Sequence, residues 1–171
     1  MAASNPMQSR TQTTPQKVTT FLWFNDNAEE AAKFYCSVFK NSKIVHTVPR
    51  PESVPQPKAD ALTVEFELDG QSFIALNGGP QFKFTEAISL VVNCETQEEI
   101  DYFWEKLSAD GGQQVECGWV KDKYGLSWQV VPSNLMTEIL TGDKEQVDRV
   151  MKAVMQMRKL DIAELEKAAR G

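Results

Sequence analysis

One histidine in 171 residues, His46, is too few for a multi-histidine metal site, and any imidazole catalysis would have to run through that side chain. Most hydrolase and zinc-enzyme templates are excluded with it. Cysteine is scarce as well: Cys36, Cys94 and Cys117 are an odd number without C-x-x-C spacing, which argues against a disulfide framework. The opening residues lack the charged and apolar regions of a secretory signal, so a reducing, cytoplasmic setting is expected. Basic residues number 18 against 24 acidic ones, giving a formal charge of -6, and no Lys/Arg-rich block occurs. Such a balance offers no attraction for nucleic acid or for an anionic membrane surface, so neither is expected as a partner. The longest apolar runs, such as Phe21 to Phe24, fall far short of the roughly 18 residues that span a bilayer.

Residues 1–16 are rich in Ser, Thr, Gln and Pro without apolar periodicity, and read as a disordered arm. From Lys17 the pattern changes. VTTFLWF is a β-branched and aromatic strand, and Asn27-x-x-Glu30 then opens a helix with Ala28, Ala31, Phe34, Tyr35, Val38 and Phe39 at helical spacing. Lys43 to Val48 reads as a strand, and the four prolines of PRPESVPQPK make a loop. Ala61 to Leu68 alternates apolar with polar, Asp69-Gly70 turns the chain, and Ser72 to Leu76 returns. The half reads βαβββ.

The second half repeats it. Ile88 to Val92 is a strand, and Thr96-x-x-Glu99 caps a helix carrying Ile100, Phe103, Trp104 and Leu107. Phe21, Asn27, Glu30, Phe34, Tyr35 and Val38 recur sixty-nine positions later as Leu90, Thr96, Glu99, Phe103, Trp104 and Leu107. Gly70-Gln71-Ser72-Phe73 matches Gly125-Leu126-Ser127-Trp128 at an offset of fifty-five. The expected organisation is an α+β domain over residues 17–132, made of modules 17–80 and 86–132, followed by a helical extension over 133–171. In that extension Ser133 or Asn134 caps a short helix through Leu140, Gly142-Asp143 opens a second, and Asp161-x-x-Glu164 caps a third. The stripe Val147, Val150, Met151, Val154 needs a surface to cover it.

Tandem βαβββ modules with A-E-E-A-x-x-F-Y in the first helix resemble the vicinal oxygen chelate superfamily of glyoxalases, extradiol dioxygenases and bleomycin-resistance proteins. The segments FLWFNDNAEEAAKFY, FELDGQSFIALNGGPQFKFTEAISLVVNCETQEEIDYFWEKL and CGWVKDKYGLSWQVVP are similar to the PhnB-like branch, often labelled 3-demethylubiquinone-9 3-methyltransferase-like. The resemblance spans Lys17 to about Leu165. It implies curved mixed sheets, a divalent metal held by four strand positions in superfamily enzymes, and a homodimer. Carried onto this chain, those positions fall near Thr20, Ile74, Ser89 and Gln129, and one residue to either side of each there is still no His, Asp, Glu or Cys. This sequence departs from the metal-binding pattern, and neither a metal nor another cofactor is expected. The methyltransferase label finds no Gly-rich strand-to-helix turn, and Gly78-Gly79-Pro80 leads into a linker rather than a helix.

An aromatic and amide-rich set suited to an organic ligand remains: Trp23, Asn77, Phe82, Phe84, Trp119, Tyr124, Trp128 and Gln129. Strand neighbours point to opposite faces, so Trp128 is expected against the helix layer. That leaves seven candidate pocket residues, with Gln129 foremost. Lys121-Asp122-Lys123-Tyr124-Gly125 reads as a charged hairpin turn. The expected function is metal-independent binding of a small organic molecule. The alternatives are a metal-assisted lyase or isomerase recruiting Glu65, Glu67 or Glu86, the methyltransferase of the family label, and an interaction protein whose C-terminal helices dock a partner.

Overall fold

Alternation in the first strand buries Leu22 and Phe24 and turns Phe21 and Trp23 the other way. In the computed structural model, which describes residues 17–54, 59–135, 137 and 141–171, this strand is β1 (Thr20–Phe24). It is followed by α1 (Ala28–Val38), β2 (Ser42–Pro49), β3 (Ala61–Leu68) and β4 (Gln71–Asn77). The second module comprises β5 (Ser89–Cys94), α2 (Gln97–Leu107), β6 (Gln113–Gln114), β7 (Trp119–Lys121) and β8 (Ser127–Pro132). Each forms an open mixed four-stranded sheet of the same topology, β1-β4-β3-β2 and β5-β8-β7-β6, with the first strand parallel to the last. The fold is α+β. The arm over residues 1–16 lies outside the described residues, as do positions 55–58 of the proline loop and most of the short helix expected up to Leu140.

The repeat holds with one slip. In the helices the offset of sixty-nine pairs buried with buried: Ala31 with Ile100, Tyr35 with Trp104, Val38 with Leu107. In the strands, however, Leu22 and Phe24 correspond to Val92 and Cys94, an offset of seventy. Phe24 lies three residues before the helix cap Asn27, while Cys94 lies two before Thr96. The second strand-to-helix connection is one residue shorter.

The two helix starts differ too. Thr96 caps α2 as expected, its Oγ1 accepting from the Glu99 N–H at 3.3 Å. Asn27 makes no side-chain cap. The Ala28 N–H donates instead to Asn77 Oδ1 at 2.8 Å, and Asn77 Nδ2 donates to the Ala61 carbonyl at 3.0 Å. Asn77 reaches that position because β4 runs beside β1 in register, placing it next to Phe24 where the chain leaves for the helix.

The helix-facing rows of both sheets merge in one core. The Tyr35 ring of α1 packs on Phe66 of β3 and on Trp128 of β8, with centroids 6.0 and 5.4 Å away. Tyr102 of α2 donates its hydroxyl to the Val38 carbonyl at the end of α1 (2.9 Å). The modules therefore join through their helix layers, and the opposite face of each sheet points away from the shared core.

Two further helices, α3 (Lys144–Val154) and α4 (Ile162–Arg170), start at Asp143 and Asp161, whose carboxylates accept from the N–H of Gln146 and Glu164. Val150 and Val154 are buried with Val131, Leu135, Leu160 and Leu165 in a second core, so half of the four-residue α3 stripe is covered by its own chain, while Met151 stays exposed. The stripe as a whole therefore does not require a partner subunit. The connection between the helices lies along the strand edge, where the Cys117 and Gly118 N–H groups donate to the Met157 and Arg158 carbonyls at 2.8 and 2.7 Å. Gly118 has φ +78°, and a Cβ there would meet the Val130 carbonyl oxygen at 2.9 Å.

Candidate functional site

The seven candidate pocket residues fall into three groups. On the outer face of the first sheet, Trp23 donates its indole N–H to the Gly79 carbonyl at 2.8 Å, and Phe82 meets its ring edge-on at 4.9 Å. The chain passes so close that a Cβ on Gly78 would lie 2.4 Å from the indole. On the outer face of the second sheet, Gln129 Nε2 donates to Ser89 Oγ at 2.8 Å, and half-buried Trp119 stands beside Gln129 on β7. The other three turn inward. Asn77 is fully buried, with both ends of its amide bonded to backbone. Phe84 and Tyr124, both half-buried, pack edge-on against Phe24 at the margin of the shared core. Trp128, 2% exposed, faces the helix layer while Gln129 faces out.

The positions that hold a metal in the superfamily do not fit one here. Thr20 pairs with Phe73 on the helix-facing side, and Ile74, beside Phe21, offers only alkyl carbon. Ser89 and Gln129 are neutral and already bonded to each other. A divalent cation lacks the carboxylates or imidazoles it would need. Of the three carboxylates that could be recruited, Glu67 is paired with Lys43 at 3.0 Å and Glu86 with Lys121. Glu65 stands on β3 opposite Ile74 and His46. At each module helix one first-turn N–H is taken by the chain itself, that of Ala28 by Asn77 and that of Glu99 by Thr96.

The turn after β7 is not merely a charged surface. Asp122 is only 3% exposed. One carboxylate oxygen accepts from the N–H groups of Tyr124 and Leu126 at 2.9 and 3.1 Å. The other accepts from the Tyr35 hydroxyl at 2.9 Å and the Trp128 indole N–H at 2.8 Å. Burial pushes the Asp122 pKa above the ordinary carboxylate value, although all four hydrogen bonds favour the charged form. Burial, and next the Asp122 charge, hold Tyr35 well above the usual phenol value. Tyr124 donates to Glu30 at 2.9 Å, and its pKa is raised by burial first and by that carboxylate second. Cys94 is pushed up to about 12, mainly by burial and then by Glu99 and Glu95, so its thiol stays protonated at neutral pH and is no nucleophile.

A cleft of about 670 Å3 opens between the modules. Its walls are the end of α1 and the β3–β4 hairpin on one side, and β5 with the first turns of α2 on the other. Of the candidate set it touches only Trp128. Sequence reasoning missed this cleft and the buried role of Asp122, for which the one local signal is the Asp-x-x-Gly turn.

Residues 16–131 match the family described as 3-demethylubiquinone-9 3-methyltransferase. The chain belongs to this family, the PhnB-like branch of the vicinal oxygen chelate superfamily. The PhnB protein from Bacillus cereus is 40% identical over 68% of this chain and 99% of its own, with a TM-score of 0.61. A Pseudomonas aeruginosa protein shares the fold at 20% identity, covering 68% of this chain and 96% of its own, with a TM-score of 0.55. A fosfomycin resistance protein from Listeria monocytogenes, complexed with Mn(II) and sulfate, is 14% identical over 75% of this chain and 98% of its own, with a TM-score of 0.49. No curated protein matches the chain. Both α3 and α4 lie beyond the family match.

Proposed function

We propose that the protein binds a small organic molecule without a metal, on outer sheet faces that a second copy of the chain completes. The observation that carries this reading is the placement of the polar pair Gln129–Ser89, flanked by Trp119, where relatives of this fold hold a metal. An amide that both donates and accepts, next to a large aromatic, orients an organic ligand where it cannot ligate a cation. Trp23 and Phe82 form the matching half on the other sheet, but the two outer faces of one chain point away from a common core. A two-fold dimer brings the first-sheet face of one copy to the second-sheet face of the other. The exposed apolar side chains at β1 and just before β5 favour such pairing: Phe21 is 54% exposed and Ile88 72%.

The charge of -6 suits a cationic ligand, and three unpaired cysteines suit a reducing cytoplasmic setting. Among the described residues no helix is long and apolar enough to cross a membrane. Native mass spectrometry of the purified protein tests the reading, with a dimer carrying an organic molecule as the expected species. Elemental analysis tests its second half, because a stoichiometric transition metal would move the reading to a metal-assisted lyase or isomerase built around Glu65. Methyl transfer from S-adenosylmethionine to a phenolic acceptor would instead support the activity in the family's description.

A further inference from the structure

The cleft between the modules shares no residue with Trp23, Phe82, Trp119 or Gln129. Its volume of about 670 Å3 lies within the range of drug-sized ligand sites. Its interior is aromatic: the Phe39 ring lies 5.0 Å from Phe103 and 5.6 Å from Trp128, and Tyr102 meets Phe103 edge-on at 5.1 Å. Phe39, Tyr102 and Phe103 are only half-buried, so ring surface is left open to the cleft. The mouth is acidic. Asp69, Glu98 and Glu99 line it against one cation, Lys40, and no ion pair among the described residues engages any of the four. Two of these carboxylates are held in place, Asp69 by the Asn41 side-chain amide at 3.1 Å and Glu99 by the Glu95 N–H at 2.7 Å.

We propose that this cleft is a second small-molecule site, taking an organic cation that joins an aromatic ring to an ammonium group. A ring laid against the open faces and edges of Phe39, Tyr102 and Phe103 buries apolar surface and gains edge or offset stacking, while the ammonium stays at the mouth among three carboxylates. The rim sets the sign of the ligand: a carboxylate on the same ring would face a net repulsion there.

Phenethylamine is the probe, titrated by calorimetry and by amide NMR, with 2-phenylethanol and phenylacetate as neutral and anionic controls on a similar ring. The amine should bind about tenfold more tightly than either control, as two or three partly screened carboxylates allow. Its shifts should centre on Phe39, Leu90 and Phe103. Glu98→Arg should weaken the amine by about tenfold and leave the particle mass unchanged, whereas Gln129→Ala should leave its affinity as it was. Should Glu98→Arg fail to fold, Asp69→Asn reads a smaller loss in the same direction, because Asn tolerates the left-handed backbone (φ +46°) at that position. Equal binding of all three probes, or no shift at the solubility limit of the amine, would overturn the proposal. A change of mass in Glu98→Arg would overturn it as well, by assigning the cleft to a second copy of the chain. Failure of the outer-face reading shows separately, in the Gln129 variant and the elemental analysis.

Discussion

Tyr35 and Asp122, 87 positions apart, share a buried hydrogen bond of 2.9 Å that ties the helix of the first module to the hairpin of the second. The same carboxylate oxygen holds the Trp128 indole, so removing it orphans two buried donors together. Asp122→Ala removes the other oxygen as well, freeing the Tyr124 and Leu126 N–H groups, and should cost about 1–3 kcal/mol for each buried donor left unpaired. Tyr35→Phe removes one donor and leaves the carboxylate three, so its cost should stay near 1.5–3 kcal/mol, roughly the worth of one bond to a charged group. Urea midpoints check the order, and a larger loss for Tyr35→Phe than for Asp122→Ala would contradict it.

The raised pKa of Asp122 gives stability a definite slope with pH. The folded chain holds this proton more tightly than the unfolded chain, so protonation favours folding. That contribution is complete below the ordinary carboxylate value of about 4 and is lost as pH rises through the raised folded value. Stability of the wild type relative to Asp122→Asn should therefore fall as pH climbs above about 4, then level off. A relative gain across that window, in denaturation midpoints from acid to neutral pH, would have the wrong sign.

Neighbouring residues on β8 should respond differently to truncation. Trp128→Ala leaves a cavity between Tyr35 and Phe39 and should cost about 3–5 kcal/mol, visible as a large drop in melting temperature. Gln129→Ala loses an outward hydrogen bond to Ser89 and should cost about 1 kcal/mol or less. Its effect should appear in ligand capture, as a loss of about 1–3 kcal/mol where that bond is buried by ligand. Paired melts and titrations of the two variants with the co-purified molecule provide the comparison.

Gly78 has no room for a methyl group beside the indole of Trp23. Gly78→Ala should displace that ring, break its bond to the Gly79 carbonyl and cost about 1–3 kcal/mol by overpacking. A red-shifted tryptophan emission with the secondary structure intact would report the displacement. An unchanged spectrum and melting point would mean that the loop yields instead of the ring.

What the sequence made visible was local. Strand alternation and the spacing Ala31, Tyr35, Val38 identified elements and inner faces, because period and burial are coupled within each element. The caps at Thr96, Asp143 and Asp161 were equally local, since each side chain bonds an N–H three residues on. Asn77 was missed as a cap because the N–H it serves lies 49 positions back, and Asp122 because its partner Tyr35 lies 87 back. Of the candidate site, Gln129 facing out and Trp128 facing in could be read from alternation. The inward turn of Phe84 and Tyr124 could not, because it depends on how two separately folded layers meet. The cleft was invisible for the same reason, being assembled from several elements of both modules.

The shortened connection before α2 limits how the two halves can be recombined. A graft that joins β1, its own three-residue connector and α2 places the helix where the native second module would. Joining β5 to α1 through the three-residue connector of the first module instead shifts the strand by one position relative to the helix it must cover, so that Val92 and Cys94 would be driven outward and Val91 and Asn93 inward. Chimeras cut within a strand or within a helix should therefore fold, while those that exchange connectors alone should not. The two copies are interchangeable in shape but no longer in phase.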